Sequence, residues 1–318
     1  MIKQIGKIAV LLGGPSSERD ISIKSGTAVY EALKSLGLDI VCIDPSYEPI
    51  DQIRKIDAEA AFIALHGRFG EDGYAQSILE AAGIAYTGSG PTASRLAMDK
   101  IASRAIFQKA AIPAPKYVTL SQENAEEWYL KDLSFPIVVK PNREGSSIGL
   151  TVARDRGGAI IAISKAFEYD FDVLLEEFIP GEDITIGILD NRPLPVVHIK
   201  PKYGIYDFNA KYTQGLCEYI VPAKLDRVLI KKAQETALKA HELLGCRDFS
   251  RVDMRLDRDG NIFVLEVNTI PGLTSTSLLP KAAKADGIDF AQLCLRVVEM
   301  ALNRKDKYGK EEIIKIKS

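Results

Sequence analysis

Cysteines are few in this chain, and none of the four lies in a C-x-x-C pair. The sequence therefore predicts neither a zinc site of the usual spacing nor a disulfide framework, and it is compatible with a reducing cytoplasm. No apolar run reaches the length of a transmembrane helix. The apolar run at residues 8–12 is too short for the core of a signal peptide, so it predicts a buried strand. We expect a cytoplasmic protein with no membrane partner.

A strong charge of either sign is also missing. The net charge of −2 gives no general attraction to nucleic acid, so no nucleic-acid partner is expected. A G-x-x-x-x-G-K-[ST] loop is absent as well, which excludes the Walker A type of nucleotide site. The 318 residues, of which 46% are apolar, are ordinary for a globular protein and long enough for two or three domains.

Strand and helix patterns alternate in the N-terminal part of the chain. The strand pattern occupies residues 7–12, 39–43 and 60–65, and the helical pattern occupies residues 20–36 and 72–82. This alternation predicts a parallel α/β sheet. Two glycine-containing loops, residues 13–18 and 66–73, follow strands at the edge where such sheets bind their ligands.

The pattern changes after a long helix predicted over residues 92–110. A strand at 135–140 ends in Lys140 and leads into a loop rich in glycine and serine, residues 141–149. Small residues let backbone N–H groups approach phosphate oxygens, and the lysine adds a positive charge. An ordinary hairpin loop explains this stretch equally well when it is taken alone. In a later stretch, residues 173–181, a strand ends in two acidic residues and a Pro-Gly turn, which is compatible with a linker whose backbone faces a purine.

The most informative stretch is a predicted hairpin at residues 251–268. An Asp-Gly pair separates two runs of alternating apolar residues, which is a strong hairpin signal. Alternation predicts an apolar face made of Val252, Met254, Leu256, Phe263, Leu265 and Val267. The opposite face then carries Arg251, Asp253, Glu266 and Asn268.

Two carboxylates on one face repel each other unless a cation lies between them. Asp253, Glu266 and Asn268 offer hard oxygen ligands, which Mg²⁺ prefers while substrate phosphates complete its shell. A solvated face with an Arg–carboxylate pair is the alternative. We favour the metal, because Glu266 lies in a strongly apolar run and the loop after Asn268 offers backbone N–H groups to an anion.

Seven short segments together resemble the ATP-grasp enzymes, and most closely the D-alanine–D-alanine ligase family. They are residues 13–18, 66–73, 98–100, 139–147, 210–212, 251–253 and 266–278. Each segment is modest alone, but their order and spacing are specific, and the resemblance runs from about Lys7 to Leu302.

The resemblance implies an N-terminal parallel-sheet α/β domain (residues 1–96) followed by a two-domain ATP-grasp fold (residues 97–182 and 183–318), which is mixed α/β and α+β. It implies that ATP phosphorylates one D-alanine and that the amine of a second attacks the acyl phosphate. The dipeptide product serves peptidoglycan synthesis. ATP and two Mg²⁺ or Mn²⁺ ions are the implied cofactors, and a homodimer is implied by analogy. Two alternatives stay open: a ligase that joins D-alanine to D-lactate or D-serine, and a catalytically silent nucleotide-binding protein.

The resemblance also implies a role for each site residue. The catalytic residues would be Glu18, Ser146, Tyr212, Arg251 and Gly272. The metal ligands would be Asp253, Glu266 and Asn268. The nucleotide would contact Lys100, Lys140, Ser147, Glu176, Glu177, Phe178, Ile179, Asp183 and Lys211. The amino acids would contact Glu18, His66, Arg251, Gly272, Ser277 and Leu278. The ribose contact is open between Asp183 and Glu182, and the tyrosine at position 212 favours the dipeptide over a D-lactate product.

Overall fold

The computed structural model describes residues 5–125, 133–202, 213 and 215–316, with side chains to residue 304. Within these residues the strands form three separate sheets.

The first sheet is parallel, as the alternation of strands and helices predicts. Its strands are β1 (Ile8–Leu11), β2 (Ile40–Ile43), β3 (Ala60–Ile63) and β4 (Ala85–Tyr86), in the order β2-β1-β3-β4. Helices α1 (Arg19–Ser35), α2 (Pro49–Arg54) and α3 (Tyr74–Ala81) connect them. β1 and β3 are buried along their whole length, which is why they read as continuous apolar runs rather than alternating ones.

The helix predicted over residues 92–110 is two helices, α4 (Pro91–Met98) and α5 (Lys100–Lys109). Asp99 separates them, because its backbone is extended and its carboxylate accepts a hydrogen bond from the backbone N–H of Ala102. Such an N-cap stabilises a helix start by about 1 kcal/mol. The break makes Lys100 the first residue of α5 and buries its side chain.

The second sheet is antiparallel and has the order β5-β8-β6-β7. The strands are β5 (Tyr117–Ser121), β6 (Ile137–Pro141), β7 (Thr151–Ala153) and β8 (Asp172–Glu177), and helix α6 (Arg156–Ala166) covers one face. The core below α6 combines small alanines of the helix with branched residues of the strands. The helix expected at residues 124–131 lies almost wholly outside the described residues.

The third sheet has the order β12-β11-β9-β13-β14, with β10 beside β9. The strands are β9 (Gly181–Leu189), β10 (Arg192–Pro193), β11 (Val197–Pro201), β12 (Cys217–Ile220), β13 (Phe249–Asp257) and β14 (Ile262–Asn268). Helix α7 (Arg227–Leu243) packs on one face. The opposite face turns toward the second sheet and forms one wall of a cleft.

Two helices end the described chain, α8 (Leu278–Ala285) and α9 (Phe290–Ile316). Apolar residues of α9 such as Val297 share a core with Val10 and Phe62 of the first sheet, because a parallel sheet needs cover on both faces. α9 continues through residues 313–316 as a helix. The domain boundaries at residues 96 and 182 stay predictions.

Candidate active site

A β-bulge shapes the hairpin of β13 and β14. Asp253 pairs with Glu266, but the next residue, Met254, pairs with Val264. Leu265 is therefore an extra residue on β14. A bulge of this kind places two neighbouring residues opposite one residue of the partner strand and re-aims their side chains.

Because of the bulge, the structure agrees with the predicted polar face of the hairpin but with only part of the predicted apolar face. Arg251, Asp253, Glu266 and Asn268 do share one face, because they lie on the same side of the register shift. Phe263 and Leu265 do not belong to the buried face, and that part of the prediction is wrong. The buried residues of β14 are Ile262, Val264 and Val267.

Asp253 is held on the polar face by several hydrogen bonds. Its carboxylate accepts hydrogen bonds from Arg251 Nε at 2.8 Å and Nη2 at 2.6 Å. Thr185 Oγ1 donates at 2.6 Å, and Asn268 Nδ2 donates at 3.2 Å. The guanidinium balances the charge of this carboxylate, and such paired bonds fix its orientation.

Glu266 lies beside a second cation. Lys100 Nζ is 3.7 Å from Glu266 Oε2 and donates to the backbone oxygen of Glu144 at 2.7 Å. The described residues contain no cluster of three or more His, Cys, Asp or Glu side chains that would form an all-protein metal cage. Two carboxylates and an amide fit a Mg²⁺ ion whose shell is completed by phosphates.

A cleft separates the second and third sheets. Every described residue that the sequence assigned to the nucleotide lines it. These residues are Lys100, Lys140, Ser147, Glu176, Glu177, Phe178, Ile179 and Asp183. The hairpin contributes Asp253 and Glu266, so the polar face of the hairpin forms one end of the same cleft.

Glu176, at the end of β8, is part of a buried ion cluster. Its Oε2 lies 2.7 Å from Lys140 Nζ, and its Oε1 accepts from Arg104 Nε at 2.9 Å. Burial opposes ionisation of Glu176, but Arg104 and Lys140 outweigh it and lower its pKa. Burial lowers the pKa of Lys140, against the attraction of Glu176.

Arg104 was missed by the sequence reasoning. It is 1% exposed and also donates to the backbone oxygen of Val264, so it joins the second sheet to the third. The available signal was its position four residues after Lys100 on α5, which places both cations on one helix face.

Arg255 was also missed, and it holds the hinge between β8 and β9. It donates to the backbone oxygen of Ile179 and to that of Gly181 at 2.9 Å, and Nη1 pairs with Asp183 at 2.8 Å. Its position two residues after Asp253 in one strand was the signal, because such residues share a face. Asp183 lines the cleft, whereas Glu182 approaches His198.

A second cavity opens between the first sheet and the hairpin. It brings together all the described residues assigned to the amino acids and to their reaction. These are Glu18, His66, Ser146, Arg251, Gly272, Ser277 and Leu278. Glu266 lines both this cavity and the cleft between the second and third sheets, so the two meet at the polar face of the hairpin.

The loop between β6 and β7 reaches both cavities. Ser146 donates a hydrogen bond to Glu18, while the next residue, Ser147, lines the nucleotide cleft. Both serines have positive φ angles, 51° and 59°. Such a conformation costs about 1–3 kcal/mol for each residue and persists only where surrounding contacts fix it. Gly145 allows the close approach, since a Cβ there would lie 2.7 Å from Glu18 Oε2.

His66 is buried with both ring nitrogens engaged. Nδ1 lies 3.1 Å from Glu71 Oε1, and Nε2 lies 2.9 Å from Ser25 Oγ. Ser25 Oγ also accepts from the backbone N–H of Leu273 at 3.3 Å, in the loop that carries Gly272. The histidine therefore connects the first sheet to this loop, which agrees with a structural role for it.

Two of the assigned residues, Lys211 and Tyr212, lie outside the described residues. Among the residues that are described, no helix is both long and apolar enough to cross a membrane.

Comparison with known proteins supports one family throughout the chain. The family model described as D-ala D-ala ligase C-terminus matches residues 106–299. A D-alanine–D-alanine ligase from Syntrophotalea carbinolica is 44% identical over 299 residues, covering 94% of this chain and 97% of the relative. One from Nitrosomonas eutropha is 45% identical over 300 residues, covering 94% and 98%.

Solved structures give the same result. The D-alanine–D-alanine ligase from Bacillus anthracis complexed with ATP superimposes with a TM-score of 0.85 at 34% identity, covering 95% of this chain and 99% of the other. The VanG D-Ala:D-Ser ligase from Enterococcus faecalis superimposes with a TM-score of 0.81 at 33% identity, covering 94% and 100%.

Proposed function

The chain belongs to the D-alanine–D-alanine ligase family and catalyses ATP-dependent joining of two D-alanine molecules for cell-wall synthesis, and we propose which of its residues perform each step. The observation that carries the proposal is the meeting of the two cavities at Glu266. A phosphoryl group from one cavity can reach a carboxylate in the other only at such a junction.

The first step activates a poor electrophile. We propose that the γ-phosphoryl group of ATP moves to the carboxylate of the first D-alanine, which gives an acyl phosphate and ADP. Lys100 and Lys140 line the cleft near this junction and would spread the charge of the transferring group. The buried Glu176 orients Lys140 by their 2.7 Å contact.

Asp253, Glu266 and Asn268 would hold two Mg²⁺ or Mn²⁺ ions. Their side-by-side oxygen donors support this assignment. Bound ions would neutralise phosphate oxygens and lower the barrier to phosphoryl transfer.

The amino-acid cavity supplies contacts for both substrates. Glu18, oriented by Ser146, would accept the ammonium group of the first D-alanine. The amine of the second D-alanine then attacks the carbonyl carbon of the acyl phosphate, and Arg251 with the backbone N–H of Gly272 would stabilise the oxyanion of the tetrahedral intermediate. That intermediate collapses as the C–O bond to phosphate breaks, phosphate leaves, and the attacking nitrogen gives up a proton, which leaves the dipeptide. Each such donor is typically worth about 100- to 1000-fold in rate.

The N-terminus of α8 suits the carboxylate of the second substrate. This helix begins at Leu278, and the side chain of the preceding Ser277 does not cap it, so the first backbone N–H groups of the helix can donate to a carboxylate.

We also propose a cytoplasmic location and a homodimer. The first is supported by the use of ATP, and the second rests on analogy within the family. Light scattering of the purified protein measures the oligomeric state directly.

The decisive experiment is ADP release coupled to dipeptide detection, with ATP, Mg²⁺ and D-alanine. We expect D-alanyl-D-alanine with D-alanine and no turnover with L-alanine. Adding D-serine or D-lactate tests the alternative products. Preference for either over D-alanine at equal concentration would overturn the assignment of the second substrate, and absence of any D-alanine-dependent ADP release would overturn the function.

A further inference from the structure

Arg68 connects the first sheet to the loop between β6 and β7. It lies in the loop after β3, and its Nη2 is 3.0 Å from Glu144 Oε1. The same nitrogen donates to the backbone oxygen of Tyr169 at 2.8 Å, just before β8. One guanidinium therefore contacts two separate segments around the second sheet.

Glu144 stands at the start of the segment that reaches both cavities. Its backbone oxygen accepts from Lys100 Nζ at 2.7 Å, and its side chain lines the nucleotide cleft. Two residues later, Ser146 bonds to Glu18. A shift of Glu144 would therefore move a phosphate-binding lysine and the serine that orients Glu18.

We propose that Arg68 is a positioning residue that, through Glu144, docks the β6–β7 loop against the first sheet so that both substrates are enclosed together. The inference rests on the ligase reaction described above. Its consequence is protection of the acyl phosphate from water. Without docking, water attacks the carbonyl carbon, phosphate leaves, and the first D-alanine is regenerated without product.

The charges at this contact favour such a role. The side chain of Glu144 is 11% exposed, and that of Arg68 is 57% exposed. Burial raises the pKa of Glu144, as does nearby Glu18, and Arg68 opposes both. Lys100 also attracts Glu144, so removal of the more than half exposed Arg68 leaves that carboxylate with a second cation nearby. Removing Arg68 should therefore change the reaction rather than the stability.

The test compares four variants with the wild type. They are Arg68→Ala, Arg68→Lys, Glu144→Arg alone, and the double variant that combines Arg68→Glu with Glu144→Arg and so exchanges the two charges. Phosphate released per dipeptide is measured together with the dipeptide rate and the thermal midpoint. The matched control is Arg192→Ala, which removes a distant, exposed pair in which Arg192 lies 3.1 Å from Asp286.

We expect Arg68→Ala to lower the dipeptide rate by about 10-fold, since small misplacements in an active site cost up to about 100-fold. Phosphate per dipeptide should rise clearly above the wild-type ratio, with an unchanged thermal midpoint. Arg68→Lys should have a dipeptide rate between those of Arg68→Ala and the wild type. The double variant should have a higher dipeptide rate than Glu144→Arg alone. The control should match the wild type.

An Arg68→Ala enzyme with the wild-type rate and ratio would overturn the inference, as would an exchange no better than Glu144→Arg alone. A wild-type protein that makes no dipeptide would instead overturn the proposed function. The two failures are therefore distinguishable.

Discussion

Glu266 is the residue on which both cavities depend, because it lines each of them and lies 3.7 Å from Lys100. Replacing it with glutamine keeps the size but removes the charge. We expect Glu266→Gln to lower dipeptide formation by about 100-fold or more, as for other preorganised electrostatic contacts. The assay is dipeptide formation at saturating Mg²⁺.

The control for this change is Asp259→Asn, which makes the same exchange at an exposed position of the same hairpin. Both variants should keep the thermal midpoint of the wild type within a few degrees. A Glu266→Gln enzyme as fast as its Asp259→Asn control would contradict the metal assignment.

His241 gives the protein an acid sensitivity unrelated to its site. Its ring is fully buried, Nδ1 lies 2.7 Å from Ser250 Oγ, and burial lowers its pKa to about 4. As the pH falls, the unfolded chain, in which the histidine has its usual pKa of 6.5, takes up a proton before the folded chain does. The contribution of this histidine to the free energy of unfolding is therefore present above about pH 6.5 and falls as the pH drops toward 4. The full loss is about 3 kcal/mol.

Urea unfolding at pH 7 and pH 5 measures this effect. We expect the drop in unfolding free energy between the two values to be smaller in His241→Gln than in the wild type. His66→Gln is the comparison, since that buried histidine has hydrogen-bond partners at both nitrogens. An equal drop in His241→Gln and wild type would remove His241 as the cause.

At the scale of single elements, β14 shows how a local irregularity creates a binding surface. The bulge at Leu265 turns this apolar side chain into the nucleotide cleft while Glu266 keeps the same side. We expect Leu265→Ala to raise the KM for ATP by about 10-fold, because burying an apolar side chain contributes about 1.5–3 kcal/mol. The rate at saturating ATP should change little.

Phe263→Ala is the matched control on the same strand, since Phe263 is half-buried but does not line the cleft. The KM for ATP is measured for both variants at a fixed concentration of D-alanine. An equal rise in this KM for both variants would show that the change acts through the strand and not through contact with the nucleotide.

The sequence predicted β14 as a strand and assigned its polar residues correctly, but it could not reveal the bulge. Regular alternation explains Ile262 to Asn268 almost as well as a shifted register does, because Leu265 is apolar and no glycine marks the irregularity. The break at Asp99 did leave a signal in the sequence, since an aspartate before a helical run is a typical N-cap. The apolar period continues across it, however, and therefore predicted a single helix.

At the scale of the whole molecule, short motifs predicted the fold class, and the described residues that they single out line two adjoining cavities. They could not supply partners that carry no motif. Arg104 and Glu176 are 72 positions apart, and only the packing of α5 under the second sheet joins them. The packing of α9 on the first sheet could not be predicted either, because the pattern of an amphipathic helix does not show which sheet the helix will cover.

Arg304 shows how this last helix connects two sheets. From α9 it pairs with Asp248, just before β13, and donates at 2.6 Å to the backbone oxygen of Tyr86 in β4. Asp248 is 7% exposed and also accepts from the backbone N–H of Gly88 at 2.9 Å. Loss of the guanidinium leaves the buried carboxylate with only the weaker attraction of Arg247.

We expect Arg304→Ala to lower the free energy of unfolding by about 3 kcal/mol, the lower end for breaking a buried ion pair. Arg296→Ala, at an exposed position of the same helix, should leave it almost unchanged. Adding Asp248→Asn to Arg304→Ala should cost less than the two single losses combined, because neither partner is then left charged and buried. Additive losses would show that the two side chains do not act as a pair, and that α9 holds the sheets together by its apolar face alone.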